Sequence, residues 1–275
     1  MTREQNRIPH SIQKSYIVCS TGRSGSSLLC KTLASLGDCG NPAEYFHPNA
    51  LPAKSNPEHS DLFRDYYLNV LEQGTTANGV FGVKIHWHHF KELLVLARHH
   101  VAELQDKSDV EVTQYLFPNP VFIFISRQDL LRQAISTCIA FQTEIWGLNR
   151  KDHEREKVSQ AKQKKLRFAP LSIYRYKVGL QMANRAWEQF FEKNNLPFHA
   201  LVYEELVASY EPTIRGIYAF LGLEFKPDIL TVPTKRQANG INERWVRYYS
   251  IIPEGLLGHY SEVRVRTRKW IEQYL

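Results

Sequence analysis

Short apolar runs alternate along the chain with stretches whose apolar residues recur every three or four positions. The runs cover 16–19, 79–86, 120–126 and 197–206, and their length and apolar density predict strands. The run 120–126 (Pro-Val-Phe-Ile-Phe-Ile-Ser) is apolar at nearly every position, the pattern of a central strand buried on both faces. Between the runs, Leu28, Leu29, Thr32 and Leu33 open a helical pattern, and further helical patterns cover 61–74, 91–105, 129–146, 175–196, 212–223 and 259–273. Asp129 stands where an N-cap belongs, and Gly222 where a helix ends. Residues 106–119 read as a loop or short helix. Strand and helix in alternation predict an α/β fold with a central parallel sheet flanked by helices on both faces, and a ligand at the carboxyl ends of the strands.

The first strand–helix junction carries the most chemistry. Residues 20–27 are Ser-Thr-Gly-Arg-Ser-Gly-Ser-Ser, almost all small and polar. Such a loop lets backbone N–H groups converge where the helix dipole adds positive potential, which makes a site for phosphate or a similar anion. Arg23 supplies a fixed cation with a forked donor, and Ser24, Ser26 and Ser27 supply hydroxyls. The loop is not a nucleoside-triphosphate P-loop, because Gly25 is followed by Ser26 and Ser27 rather than by Lys and Ser/Thr. The competing reading is a Ser/Gly-rich turn with no ligand. Lys84, near the end of the second predicted strand, is a further candidate for an anionic group in the crevice.

Composition narrows the class. The chain has 275 residues, 43% of them hydrophobic, enough for one sizeable core, and a single domain over 1–275 is expected. A net charge of +7 favours an anionic ligand. The basic residues are scattered apart from 162–167, so nothing points to nucleic acid. The four cysteines, Cys19, Cys30, Cys39 and Cys138, show no metal-ligand spacing and read as buried reduced thiols of a cytoplasmic protein. The polar start of the chain has no signal-peptide pattern, and no apolar run approaches the length of a membrane span. Residues 1–14 read as a disordered tail and 147–170, charged and poor in apolar residues, as a mobile linker or lid. His86, His88 and His89 match no zinc pattern, and no metal is expected.

Thr21-Gly-Arg-Ser-Gly-Ser-Ser-Leu-Leu29 resembles the 5′-phosphosulfate loop of sulfotransferases, enzymes that use 3′-phosphoadenosine 5′-phosphosulfate (PAPS). The common form has Lys where this chain has Arg23. The Arg form, followed by Gly40-Asn-Pro-Ala-Glu-Tyr-Phe46, is similar to the bacterial trehalose 2-sulfotransferase group. Tyr203-Glu-Glu-Leu206 and the Phe-Leu-Gly at 220–222 resemble fold signatures of the same enzymes, so the likeness extends from about 15 to about 250.

The resemblance implies a P-loop-like three-layer fold and assigns residues. Thr21, Gly22, Arg23, Ser24, Gly25, Ser26 and Ser27 would hold the 5′ end of the donor, and Arg127 and Ser136 its 3′-phosphate. Arg is suited to bidentate phosphate contact; the competing readings are a surface charge and an ordinary helix Ser. Arg236 and Gln237 match a C-terminal loop over the nucleotide. Glu44 takes the place of the catalytic base, consistent with the need for a carboxylate near the donor loop; its competing reading is a surface Glu. Trp87, Gln142 and Trp146 would line the acceptor pocket, Gln142 and Trp146 sharing a helix face at a spacing of four, with core packing the alternative for either Trp. A homodimer is a family expectation only. The reading reached is sulfuryl transfer from PAPS to a carbohydrate hydroxyl, trehalose or another glycan or glycolipid, with Glu44 as base, Arg23 and Lys84 stabilising charge, and no metal. The alternatives are a nucleotide-dependent kinase with a degenerate loop, which would need magnesium and a metal-holding Asp, and a non-catalytic nucleotide-binding protein.

Overall fold

A computed structural model describes residues 12–51, 60–146, 165–226, 230 and 240–262. The described chain divides into two compact units: Met1–Ser126 with Ala183–Pro233, and Arg127–Met182 with Thr234–Leu275.

The first unit is built on four strands, β1 (Lys14–Ser20), β2 (Val80–His86), β3 (Pro120–Ser126) and β4 (Phe198–Val202), in the order β2-β1-β3-β4. All three pairings are parallel. Alternate residues of a strand point to opposite faces, and the core divides accordingly. Ile17, Cys19, Phe81, Val83, Ile85, Phe122 and Phe124 face one hydrophobic cluster, filled out by α2 (Ser60–Gly74), α3 (Trp87–His100), α4 (Asp109–Leu116) and Trp187, Phe190 and Phe191 of α6 (Pro170–Lys193). Tyr16, Val18, Val80, Ile123 and Ile125 face the other, formed with α1 (Ser26–Ser35) and α8 (Tyr210–Leu221). The α/β fold with a parallel sheet and helices on both faces is as the alternation predicts.

The strand β1, buried at every position from Ser15 to Ser20, has neighbours on both sides. At the β2 edge, Ala43 adds a parallel bridge to Val83, and its carbonyl accepts from Lys84 N at 2.9 Å. Gly40 makes this approach possible: its φ is +67°, and a Cβ there would lie 2.7 Å from Gly82 N.

The second unit holds α5 (Leu130–Thr143), the first part of α6, α9 (Gly240–Ser250) and a helical stretch at 254–262. Its core is Ala134, Ile135, Cys138, Ile173, Leu180, Trp245, Tyr249 and Leu257.

Several boundaries differ from expectation. The helix that begins at Asp129 ends at Thr143 rather than at Trp146: Glu144 takes a left-handed φ of 59°, and the Thr143 hydroxyl donates back to Ile139 O at 2.8 Å. Trp146 therefore lies outside the helix and shares no helix face with Gln142. Tyr203-Glu-Glu-Leu, expected as a strand end, opens the short helix α7 (Tyr203–Ala208). The helix α4, ambiguous in sequence, is opened by a capping box between Ser108 and Glu111. Most of the segment 147–170 lies outside the described residues.

Candidate active site

The loop 21–25 turns tightly between β1 and α1. Ser24 N donates to Thr21 O at 3.3 Å, Arg23 sits at φ 63° and Gly25 at φ 89°. Gly25 is the N-cap of α1, and its Cα lies so close to the Tyr203 ring that a Cβ would come within 2.3 Å of it. Only Gly satisfies both the left-handed backbone and that contact. Gly25 has no side chain with which to cap α1, and no acidic residue stands in its first turn. Its N–H groups and the positive end of its dipole are therefore not neutralised by the helix's own residues. The Ser24 hydroxyl is buried with no hydrogen-bond partner among the described residues. A buried orphan hydroxyl beside an uncapped helix N-terminus fits an anionic ligand. Thr21 is tied to Asn184 (3.3 Å), and Ser20 O accepts from the indole of Trp187 (3.2 Å), so α6 fixes the root of the loop.

Parallel register sets Val18 beside Lys84 and Ser20 beside His86. Lys84 and His86 alternate with Val83 and Ile85, so both point to the α1 side of the sheet. The Ala43 bridge then delivers Glu44 to the same place. Lys84 Nζ lies 2.6 Å from Glu44 Oε2. His89 Nδ1 and His86 Nε2 approach Oε1 at 3.1 and 3.6 Å. His89 Nδ1 makes no well-directed hydrogen bond among the described residues and meets the carboxylate as a close polar contact. His86 Nδ1 is 3.0 Å from the Ser20 hydroxyl, which links the Glu44 cluster to the root of the loop.

Burial works against ionisation of Glu44, yet its histidine and lysine neighbours outweigh it and hold the carboxyl well below the usual carboxylate range. Burial, reinforced by the Lys84 ammonium, pushes His86 down to about 3. His86 is thus neutral at pH 7, and the support for the Glu44 anion comes from Lys84 and His89. The pair is three-quarters or more shielded from solvent, with Lys84 at 10% and Glu44 at 24% side-chain exposure. It amounts to a carboxylate and an ammonium held together at the strand ends, beside an anion cradle.

Other expected residues are placed as follows. Trp87 opens α3, half-buried, its ring edge-on to Trp187 at 5.0 Å. In the second unit, Arg127 follows directly on β3, and Ser136 is half-buried on α5. Asp129 caps α5 through Arg132 N (2.8 Å) and pairs with the Arg132 guanidinium (2.5 Å). Both ends of the Gln142 amide bind the backbone of Arg167, each at 2.9 Å. Trp146 is 47% exposed and meets Phe141 edge-to-face at 4.8 Å. Arg236 and Gln237 lie outside the described residues.

Sequence reasoning passed over His47 and gave His86 and His89 no role at Glu44. Two signals were available for His86: it stands two residues from Lys84 on one strand, hence on the same face, and at the same strand end as the loop. Glu44, His47 and His89 bring one possible ligand atom each to within 4.8 Å of one another. Among the described residues no helix is long and apolar enough to cross a membrane.

Two curated relatives cover most of the chain. The trehalose 2-sulfotransferase of Mycobacterium tuberculosis (strain ATCC 35801 / TMC 107 / Erdman) is 26% identical over 265 residues, spanning 85% of this chain and 93% of the relative. That of Mycolicibacterium smegmatis (strain ATCC 700084 / mc(2)155) is 24% identical over 266 residues, with the same coverage. Among solved structures, the sulfotransferase domain of the Synechococcus PCC 7002 olefin synthase aligns over 90% of this chain and 91% of its own at 14% identity, with a TM-score of 0.39. The family described as Stf0 sulphotransferase matches residues 15–251, which hold the uncapped loop, Glu44 and Lys84, and the chain belongs to that family.

Proposed function

We propose that the protein transfers the sulfuryl group of PAPS to a hydroxyl of a carbohydrate, trehalose or a glycan or glycolipid that presents a similar sugar. The observation that carries this reading is the Glu44–Lys84 pair at 2.6 Å, set at the same strand ends as the uncapped loop before α1. Residues 21–27 would hold the 5′ end of the donor, with the Ser24 hydroxyl supplying a donor that has no partner among the described residues. Arg127 and Ser136 would hold its 3′-phosphate, and Arg236 and Gln237 are assigned to the nucleotide by resemblance alone. PAPS supplies the activated sulfuryl group.

The chain's own residues do the rest. Glu44, ionised at neutral pH, accepts the proton of the acceptor hydroxyl. Lys84 and Arg23 stabilise charge as it develops on the transferring group and the leaving phosphate. Lys84 is shared between Glu44 and the transferring group, so its withdrawal toward the latter frees the carboxylate to take the proton. Trp87 and the exposed Trp146 are assigned to the acceptor; Gln142 would have to give up two bonds to Arg167 to join them. The trehalose 2-sulfotransferase relatives support a sugar acceptor. Four free, buried cysteines support a reducing, cytoplasmic setting. The kinase reading loses support at Asp129, which is engaged by Arg132 as a helix cap.

Calorimetric titration separates the readings. The product nucleotide, 3′-phosphoadenosine 5′-phosphate, should bind in the presence of EDTA, and labelled PAPS should transfer sulfate to trehalose or to another member of a sugar panel. Binding of ATP with magnesium alone would overturn the proposal in favour of a kinase.

A further inference from the structure

The carboxylate assigned as base sits in a group of imidazoles that the transfer reaction does not require. Glu44, His47 and His89 place three potential ligand atoms within 4.8 Å of one another. His89 Nδ1 and Glu44 Oε1 are already 3.1 Å apart. Ligands at about 2.0–2.1 Å from a tetrahedral metal stand roughly 3.3–3.4 Å from each other, so this pair needs almost no movement. The His89 side chain is 8% exposed, and among the described residues its Nδ1 makes no well-directed hydrogen bond, although a buried ring nitrogen ordinarily finds a partner. That nitrogen stands beside the Glu44 carboxylate. The His47 ring lies across His89 at 4.8 Å between centroids. It is half-buried and opens the turn in which Ala50 N donates to His47 O at 2.8 Å.

We propose that Glu44, His47 and His89 form a binding site for Zn²⁺ or a similar borderline transition metal, and that its occupation switches the enzyme off. Two imidazoles and one carboxylate select such a metal over Mg²⁺ or Ca²⁺, which prefer all-oxygen shells. Three protein ligands leave a fourth position for water. The metal takes Glu44 Oε1, and Lys84 remains on Oε2 as the partner that orients the carboxylate. Two features limit affinity. The Lys84 ammonium repels the cation, and Asn49 N donates to His47 Nδ1 at 3.2 Å. Ligation through Nδ1 breaks that bond, and ligation through Nε2 requires the tautomer to reverse. Occupancy should therefore follow the metal concentration and reverse with a chelator. Binding stands on the geometry alone; the inhibition rests on Glu44 being the base of the transfer reaction.

The full chain, stripped with EDTA and dialysed, would be titrated with Co²⁺ and, by calorimetry, with Zn²⁺, in parallel with His47→Ala. The expected result is one equivalent bound, with the intense visible bands of four-coordinate Co²⁺ and binding weakened at least tenfold in His47→Ala. The rate of sulfate transfer from PAPS with and without Zn²⁺ would be compared within each protein. It should fall in the wild type at the metal concentration that fills the site, recover with EDTA, and need at least tenfold more Zn²⁺ in His47→Ala. Pale six-coordinate Co²⁺ spectra, binding untouched by His47→Ala, or a rate indifferent to a filled site would each overturn the proposal. If the metal binds through His47 but no sugar is sulfated, the metal site stands and the transfer reading fails.

Discussion

Glu44 is the residue on which the transfer chemistry turns, and its surroundings make the assignment testable. Glu44→Gln keeps the shape and removes the proton acceptor. Transfer should fall about 10²- to 10⁴-fold, the usual contribution of a positioned base, while 3′-phosphoadenosine 5′-phosphate binds as before. An unchanged rate would remove Glu44 from the reaction. The residue was legible in sequence only through its setting between Pro42 and Tyr45-Phe46; nothing in its own vicinity announced a lysine. The Lys84 contact depends on two long-range facts, the β1–β2 register and the Ala43 bridge, and neither is encoded by local spacing. The same holds for Tyr203, read as a fold signature and found with its ring against Gly25 of the loop, 178 positions away. Residue types and motifs could be read directly, but contacts between strand ends could not.

Strands and helices were recovered better than their ends. The β3 strand occupies the apolar run that announced it, because a strand buried on both faces leaves no polar position to blur its limits. The helical pattern of α5 runs three residues past the end of the helix, since a left-handed turn at a Glu has no sequence mark of the kind a Gly gives. The α4 helix hid in a polar stretch and is held at its start by polar contacts. Its Asp109 takes Lys91 Nζ at 2.5 Å and Arg98 Nη2 at 2.7 Å. Burial acts to raise the Asp109 pKa, but the bonds from Lys91 and Arg98 prevail and hold it below the ordinary 3.8. A depressed folded-state value means stabilisation that is present above 3.8 and lost as pH falls through the folded value. The urea midpoint should drop between pH 6 and pH 3, and Asp109→Asn should make that drop smaller. An identical pH profile in the variant would show that the cluster contributes nothing.

At the scale of the whole molecule, neither unit is a continuous piece of chain. The polypeptide passes between them at 126–127, 182–183 and 233–234. Periodicity along the chain gave no sign of this division, because a helix such as α6 keeps one pattern while its two parts serve different cores. Each core should report its own damage. Trp245, 3% exposed and edge-on to Phe168 at 5.6 Å, joins α9 to the core of the second unit. Trp245→Ala should cost about 3–5 kcal/mol there. Hydrogen exchange should then lose more protection across Leu130–Thr143 than across Lys14–Ser20. Equal losses in both would mean that the two cores melt as one.

All four cysteines are buried, each no more than 4% exposed, and burial pushes the Cys30 and Cys39 thiols up to about 12. A thiol that is neither accessible nor ionised does not react with maleimides at neutral pH. The native chain is therefore silent to thiol-directed dyes. A single cysteine introduced at an exposed position such as Val95, 64% accessible on α3, would carry a fluorophore at one defined place, with no native residue to be removed first.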